Sequence, residues 1–212
     1  MTEYHKIETI FERDMKGNKK LIEGKFRNPI VEYLKGCDWH FTEKVDGTNI
    51  RIIWDGHKVS IGGRTDKAQI PTFLLSRLQE LFLGDVNEQL FEQEFGEKEV
   101  VLYGEGFGEK LQKGGSKYIE GQDFILFDVR IGGMFLDRDN LEPIAKMFNI
   151  KLVPKLPFTK IQDAINFVKT SPKSLIGKKE FDMEGVIGVP KVRLYNVQGR
   201  RVIIKIKKED FI

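Results

Sequence analysis

The hexapeptide Lys44-Val45-Asp46-Gly47-Thr48-Asn49 places a lysine where one apolar run ends and a tight turn leads into the next. The flanking residues 40–44 and 49–54 have the composition of strands, and an Asp-Gly pair suits a turn. To act as a nucleophile at pH 7, a lysine with an ordinary pKa near 10.4 must lose its proton at a cost of about 4.6 kcal/mol. Neighbouring cations lower that cost. Lys205 and Lys207, which alternate on a later run, would point both amines to one face.

Composition predicts a folded protein that is not embedded in a membrane. The chain has 212 residues, 40% of them hydrophobic, which is enough for a substantial core. No run approaches the roughly 18 apolar residues of a membrane span, and the polar start lacks a secretory signal. Cys37 is the single cysteine, which excludes an internal disulfide and fits a reducing compartment. We therefore expect a soluble, cytoplasmic protein.

Charge is distributed unevenly along the chain. The net charge is +3, but residues 151–212 hold 14 Lys+Arg against 6 Asp+Glu. Charge alone leaves two interpretations open, contact with a polyanion near the C-terminal end and a solvated lysine-rich face.

The order of predicted elements favours an α+β fold over a regular strand–helix alternation. Apolar β-branched runs predict strands at residues 40–44, 49–54, 58–61, 99–104, 124–131, 183–189 and 201–206. Helical spacing predicts helices at residues 72–83, 86–95, 139–148 and 161–168, the first with Phe73, Leu74, Leu78, Leu81 and Phe82 on its apolar face. Asp55-Gly56 predicts a hairpin between the second and third strands.

Two other kinds of site are excluded by their templates. Gly104-Glu105-Gly106-Phe107-Gly108-Glu109 is rich in glycine, but it matches neither the Walker A pattern nor the dinucleotide fingerprint. His5, His40 and His57 have no partner at metal-ligand spacing, which argues against a zinc hydrolase.

Six short motifs follow one another between residues 44 and 207. They are Lys44-Val45-Asp46-Gly47-Thr48-Asn49, Gly63-Arg64-Thr65, Leu102-Tyr103-Gly104-Glu105-Gly106, Ile125-Leu126-Phe127-Asp128-Val129, Met183-Glu184-Gly185-Val186-Ile187 and Ile204-Lys205-Ile206-Lys207. In this order they resemble motifs I, Ia, III, IIIa, IV and V of the covalent nucleotidyltransferase superfamily, which contains ATP-dependent DNA ligases, RNA ligases and mRNA capping enzymes. Asn49 stands where DNA ligases and capping enzymes usually carry arginine. The chain therefore most resembles the branch of RNA ligase 2 and the RNA-editing ligases.

The resemblance implies an α+β nucleotidyltransferase domain of the ATP-grasp-like ligase adenylation type, with antiparallel sheets flanked by helices and a nucleotide cleft. It implies an ATP-dependent RNA ligase that forms lysyl-AMP on Lys44, transfers AMP to an RNA 5′-phosphate and joins this end to a 3′-hydroxyl. The expected partners are thus ATP, Mg²⁺ or Mn²⁺, and RNA, with no membrane and no obligate protein partner.

Roles of the other residues also follow from the resemblance. Lys205 and Lys207 would neutralise the α-phosphate, Glu184 and Asp46 would serve the metal ion, and Asn49 would position phosphate. Arg64 would contact the ribose or a phosphate, Glu105 the ribose hydroxyls, and Phe127 would stack on the adenine. Glu43 would frame the base or face solvent, and Thr42 would line the base pocket.

The chain departs from the family in ending about five residues after the last motif, whereas ligases and capping enzymes usually carry a further C-terminal domain. We expect residues 1–212 to form one adenylation domain without a separate C-terminal OB or helical domain. Five basic residues of the C-terminal segment would then contact RNA, namely Lys173, Lys178, Lys179, Arg200 and Arg201. The alternatives are a DNA ligase, a GTP-dependent capping guanylyltransferase and a catalytically idle nucleotide- or RNA-binding module.

Overall fold

A computed structural model describes residues 3–17 and 19–211, which divide into two units with separate hydrophobic cores. The six-stranded unit comprises Glu3, Tyr4, Asp46–Val153 and Gly177–Lys179. The four-stranded unit comprises His5–Val45, Pro154–Ile176 and residues 180–211. Along the chain, one boundary between the units therefore falls between Val45 and Asp46, inside the hexapeptide.

Strands and helices are numbered in chain order. The strands are β1 (Glu8–Thr9), β2 (Phe11–Arg13), β3 (Leu21–Phe26), β4 (Trp39–Lys44), β5 (Thr48–Trp54), β6 (Val59–Gly63), β7 (Val100–Gly108), β8 (Gln122–Ile131), β9 (Met134–Phe135), β10 (Lys151–Leu152), β11 (Gly185–Pro190) and β12 (Ile204–Lys207). The helices are α1 (Pro29–Tyr33), α2 (Thr72–Phe82), α3 (Asp85–Phe95), α4 (Leu141–Met147) and α5 (Ile161–Lys169).

The six-stranded unit is built on a mostly antiparallel sheet. Its strands run in the order β10-β8-β7-β5-β6, with β9 paired to β8, and only β10 is parallel to its neighbour. One face of the sheet carries apolar side chains such as Ile50, Leu102 and Leu126, and helices α2 and α4 contact β8. Aromatic side chains fill this core, with Trp54 stacked on Phe91 at 5.7 Å between ring centroids. Each large side chain buried in this way contributes roughly 1.5–3 kcal/mol.

The four-stranded unit contains the sheet β1-β12-β11-β4 and the small antiparallel pair β2-β3. Strand β11 is antiparallel to both β4 and β12, whereas β1 runs parallel to β12. Helix α5 buries Ile161, Ala164, Ile165 and Val168, at the spacing of one helical face, and packs on β11 and β12. This packing fixes the two strands that carry the last two motifs.

The predicted α+β class and most predicted elements are confirmed. The hairpin at Asp55-Gly56 joins β5 to β6, and the glycine-rich run continues β7 as far as Gly108. Two details of the prediction were wrong. The last strand begins at Ile204 rather than residue 201, and Phe73 on the predicted apolar face of α2 is 39% exposed. No helix among the described residues is both long and apolar enough to cross a bilayer.

Replacing Gly104 by alanine should destabilise the six-stranded unit. A Cβ at residue 104 would lie 2.1 Å from the Phe124 ring and 2.6 Å from the Ile125 carbonyl oxygen, so a backbone strand would have to move. Such overpacking costs about 1–3 kcal/mol. The free energy of unfolding, measured by urea denaturation, should fall by that amount. The control is Gly36→Ala, because no atom lies within 4 Å of the added Cβ; equal stability of the two variants would contradict the prediction.

Candidate active site

Three strand ends of the four-stranded unit come together at the motif residues. Lys44 is the last residue of β4 and pairs with Gly185, the first residue of β11, which on its other side pairs with Lys207, the last residue of β12. Glu184 directly precedes Gly185. Because antiparallel register places these residues side by side, side chains from positions 44, 184 and 207 reach the same end of the sheet.

The Glu184 carboxylate bridges two ammonium groups. Lys44 Nζ lies 2.5 Å from Glu184 Oε2, and Lys207 Nζ lies 2.9 Å from Glu184 Oε1. The three side chains are between 18% and 23% exposed, so they are shielded from bulk water but remain accessible. Lys207 Nζ also contacts Glu209 Oε1 at 2.9 Å, on the solvent side, where Glu209 is 72% exposed.

The two lysines of the last motif differ in their acid–base properties. Partial burial lowers the pKa of Lys205, and the nearby ammoniums of Lys207 and Lys44 lower it further. Burial also acts to lower the pKa of Lys207, but its hydrogen bonds to Glu184 and Glu209 outweigh burial and raise the pKa above the ordinary lysine value. Lys207 therefore stays charged, whereas Lys205 is the lysine whose positive charge is disfavoured.

Strand β4 also positions Thr42 and Glu43. Thr42 is buried and pairs with Ile187. Glu43 is 1% exposed, and its carboxylate accepts hydrogen bonds from Ser174 Oγ at 2.5 Å and from the Leu175 amide at 2.8 Å. Burial raises the pKa of Glu43, and these two hydrogen bonds oppose the rise. The Glu43 carboxylate thus anchors the segment at residues 174–175 of the same unit and does not face solvent.

In the six-stranded unit, residues of motifs I, Ia and III line a pocket of about 340 Å³. Asn49 on β5 pairs with Glu105 on β7, and Arg64 follows the end of β6. The three polar side chains share the pocket with residues 47, 48, 63, 68 and 69. The Asn49 Oδ1 atom is buried and accepts no hydrogen bond from residues 3–17 and 19–211, so a donor on a bound molecule would satisfy it.

Gly47 has a structural role in the turn within motif I, between β4 and β5. A Cβ at this position would lie 2.2 Å from the Gly106 carbonyl oxygen, so any larger residue would push the turn away from β7. The turn is also held by side chains, because the Asp46 amide donates to Tyr118 Oη at 3.1 Å and Gln112 Nε2 donates to the Gly47 carbonyl at 2.9 Å.

Phe127 is half-buried on β8 and is not part of the large core cluster. It does not line the 340 Å³ pocket but packs edge-on against Tyr4, with ring centroids 5.2 Å apart. The Tyr4 hydroxyl donates to Asp128 Oδ2 at 2.7 Å. Sequence reasoning missed Tyr4, which lies far from every motif along the chain and carries no local signal.

Arg51 was also missed, although its position on β5, two residues after Asn49, places it on the same face as Asn49. Its guanidinium is 1% exposed, donates from Nε to the Gly63 carbonyl at 2.7 Å and pairs with Asp66 at 2.8 Å. Arg51 thereby holds both ends of the segment that presents Arg64. A charged residue within an otherwise apolar strand was the available signal.

The described residues offer few ligands for a metal ion. No group of three or more His, Cys, Asp or Glu side chains in residues 3–17 and 19–211 is arranged to hold one. Mg²⁺ and similar ions usually keep several waters and take one or two protein carboxylates together with phosphate oxygens of the substrate. Both Glu184 oxygens contact ammonium groups, so Glu184 would hold such an ion only in exchange for a lysine contact and together with phosphate oxygens of the substrate.

Comparison with known proteins gives one consistent result. A family model described as RNA ligase matches residues 38–207. A search of curated protein sequences gave no significant match.

Solved structures of Naegleria gruberi RNA ligase share the fold. A variant with ATP and Mn has a TM-score of 0.62 and 19% identity, covering 86% of this chain and 52% of that one. A variant with AMP and Mn gives 0.64 and 18%, and a complex with PPi gives 0.63 and 20%, each covering 86% and 53%. The chain therefore spans about half the length of the solved chains that it matches.

The buried Glu43 carboxylate should give stability a measurable pH dependence. Because the folded-state pKa is raised, the contribution of Glu43 to stability is fully present below its ordinary value of 4.5 and is lost as pH rises through the raised value. Glu43→Gln has no such ionisation. The free energy of unfolding of the wild type, measured by urea denaturation across pH, should therefore fall relative to that of Glu43→Gln as pH rises above 4.5.

The control is Glu94→Gln, at an exposed position on α3. It should follow the wild-type pH profile. Parallel profiles for wild type and Glu43→Gln would show that the burial of this carboxylate has no energetic consequence.

Proposed function

Since the chain belongs to the RNA ligase family, we propose that it is an ATP-dependent RNA ligase that forms lysyl-AMP on Lys44. The observation that carries this proposal is the ion-paired cluster of Lys44, Glu184 and Lys207 at three adjacent strand ends. It supplies a nucleophilic nitrogen, a carboxylate that orients it and a permanently charged neighbour. The family match from residue 38 to 207 includes all six motifs.

The proposed reaction has three displacements. Lys44 Nζ attacks the α-phosphorus of ATP, forming a P–N bond while the bond to the β-phosphate oxygen breaks and pyrophosphate leaves. An oxygen of an RNA 5′-phosphate then attacks the same phosphorus. The P–N bond breaks, and the free amine of Lys44 is regenerated. Finally, an RNA 3′-hydroxyl attacks the adenylated 5′-phosphate, and AMP leaves with the electrons of the broken P–O bond.

Lys44 must lose its proton before it can attack, while the Glu184 carboxylate beside Lys44 Nζ keeps the nitrogen in place. Lys207, whose pKa is raised, keeps its charge and would stabilise negative charge on the phosphate oxygens during transfer. Lys205 contributes a second, more easily neutralised ammonium, whose lowered pKa reflects burial and its two lysine neighbours. We assign Lys207 the role of a stable cation beside the phosphate, and Lys205 that of a second positive charge whose pKa is lowered.

The pocket of the six-stranded unit supports the roles assigned to nucleoside and phosphate. Glu105 and the unsatisfied Asn49 Oδ1 are acceptors suited to hydroxyl groups, and Arg64 supplies a planar set of donors for phosphate. The family resemblance assigns Phe127 to the adenine, Thr42 to the base pocket and Glu43 to the frame of the base. For Glu43 this role would pass through the 174–175 segment that its carboxylate holds.

A divalent ion, Mg²⁺ or Mn²⁺, would be held by Glu184, with Asp46 assigned to its water shell. When bound, such an ion supplies Lewis-acid stabilisation of phosphate oxygens. The proposed RNA substrate carries 5′-phosphate and 3′-hydroxyl ends, which the three displacements require.

Covalent labelling tests the proposed function directly. After incubation with α-labelled ATP and a divalent ion, then denaturation, label should remain on the wild type and be absent from Lys44→Ala, because only a P–N bond to Lys44 survives. The control, Lys58→Ala at an exposed position beyond β5, should be labelled like wild type. Absence of label on wild type would contradict the proposal, and label from GTP in place of ATP would indicate a guanylyltransferase.

Glu184 should matter far more than Glu209, although both carboxylates pair with Lys207. Glu184→Gln removes the charge that holds Lys44 and should slow lysyl-AMP formation by roughly 100-fold. Glu209→Gln removes an exposed pair worth at most about 1 kcal/mol, so its rate should stay within about fivefold of wild type. Single-turnover labelling measures both rates, and similar losses in the two variants would contradict the assigned role of Glu184.

A further inference from the structure

Five exposed lysines of the six-stranded unit lie on two segments that are distant in sequence. We call them the lysine patch: Lys110, Lys113, Lys117, Lys178 and Lys179. The first three lie on the loop between β7 and β8, and the last two lie on residues 177–179, which belong to this unit although the chain on both sides of them does not.

Backbone hydrogen bonds join the two segments. The Lys178 amide donates to the Tyr118 carbonyl at 3.1 Å, and the Lys179 amide donates to the Lys117 carbonyl at 3.3 Å. The loop itself is compact, because Gly115 approaches the Gly108 carbonyl so closely that a Cβ at residue 115 would lie 1.8 Å from its oxygen. The lysines are therefore displayed by a constrained surface and not by a long free loop.

The same loop is attached to the turn that follows the candidate nucleophile. Gln112 Nε2 donates to the Gly47 carbonyl at 2.9 Å, and Tyr118 Oη accepts from the Asp46 amide at 3.1 Å. Tyr118 is buried and packs edge-on against Phe107, with ring centroids 5.8 Å apart. Lys113 directly follows Gln112, and Lys117 directly precedes Tyr118. Two lysines of the patch are therefore sequence neighbours of the residues that bind the loop to motif I.

Lysines outnumber carboxylates on this surface. Residues 109–120 and 177–179 contain five lysines and two glutamates, Glu109 and Glu120. Among the described residues, Lys110, Lys113, Lys178 and Lys179 take part in no ion pair, whereas Lys173, four residues before the 177–179 segment, pairs with Asp182 and Glu180. These four exposed lysines without an ion-pair partner in the described part of the chain would attract a polyanion, because their contact with its phosphates releases condensed counterions.

We propose that the lysine patch is the surface that binds the phosphate backbone of the RNA substrate next to motif I. This inference rests on the proposed function and identifies a substrate-binding surface for it. The sequence led us to expect that RNA contacts the basic C-terminal segment. The proposal changes this expectation, because Lys178 and Lys179 act together with three lysines from the middle of the chain. Lys173 forms ion pairs with Glu180 and Asp182 instead.

The test compares two double variants in the same unit. Lys113→Gln/Lys179→Gln removes two patch charges. The matched control, Lys58→Gln/Lys98→Gln, also removes two exposed charges. These lysines lie beyond the Trp54–Val100 end of the paired strands β5 and β7, whereas motif I lies at the other end. Affinity for a fluorescent, 5′-phosphorylated single-stranded RNA is measured by anisotropy over a series of NaCl concentrations. Lysyl-AMP formation, which involves no RNA, is measured in parallel.

The patch variant should bind RNA about tenfold more weakly, and the slope of log affinity against log salt should be shallower by roughly 1.4, at about 0.7 per lost phosphate contact on a single strand. The control should keep the wild-type affinity and slope. Equal RNA affinity and slope in the two double variants would overturn the proposal. The RNA-binding comparison remains decisive even if no lysyl-AMP forms on wild type, an outcome that would refute only the proposed ligase activity.

Discussion

The arrangement of the candidate active site depends on one carboxylate placed between two ammonium groups. Lys44 and Lys207 lie at the ends of strands that both pair with β11, and Lys205 lies two residues before Lys207 on β12, so three partly buried positive charges would repel one another. Glu184 compensates two of them at once, at 2.5 and 2.9 Å. Pairing with an opposite charge lowers the cost of burying a charge. The sheet can therefore bring lysines together at this edge because Glu184 enters from the start of β11.

Buried charged groups outside the lysine cluster are also paired, but their pairing holds neighbouring segments in place. Arg51 is almost fully buried and uses its guanidinium to hold Gly63 and Asp66, and Glu43 holds residues 174–175. Gly63 is the last residue of β6, whereas Asp66 and residues 174–175 lie outside the strands and helices. Displacing a segment that pairs with a buried charge is costly, since displacement leaves the charge without that partner. The segments that present functional side chains are positioned in this way.

Sequence patterns predicted the elements that bury an alternating or helical face. Strands β4 to β8 and helices α2, α3 and α5 have long apolar patterns, and these were confirmed within a few residues. Strands β1 to β3 were not predicted, because they are short and β3 exposes most of its side chains, from Ile22 to Lys25. Residues 201–203 are apolar enough to suggest a strand, yet pairing with β11 reaches only as far as Ile204 opposite Gly188. The periodicity of apolar residues indicates which residues are buried. It does not indicate which strand they pair with or how far the pairing extends.

The motifs identified candidate site residues. The interaction partners of these residues lie far away in the sequence, so no local pattern predicts them. The three lysines near motif V and motif I look equivalent in sequence, whereas in the structure their electrostatic environments differ. Lys207 gains two carboxylate partners, so its pKa rises, while Lys205 has burial and two ammonium neighbours, so its pKa falls. A lowered pKa alone would therefore point to Lys205 as the nucleophile. The proposed assignment of Lys44 rests instead on its place in motif I. It assumes that alignment of the attacking nitrogen outweighs a lowered pKa, because correct positioning can contribute about 7–11 kcal/mol to a displacement.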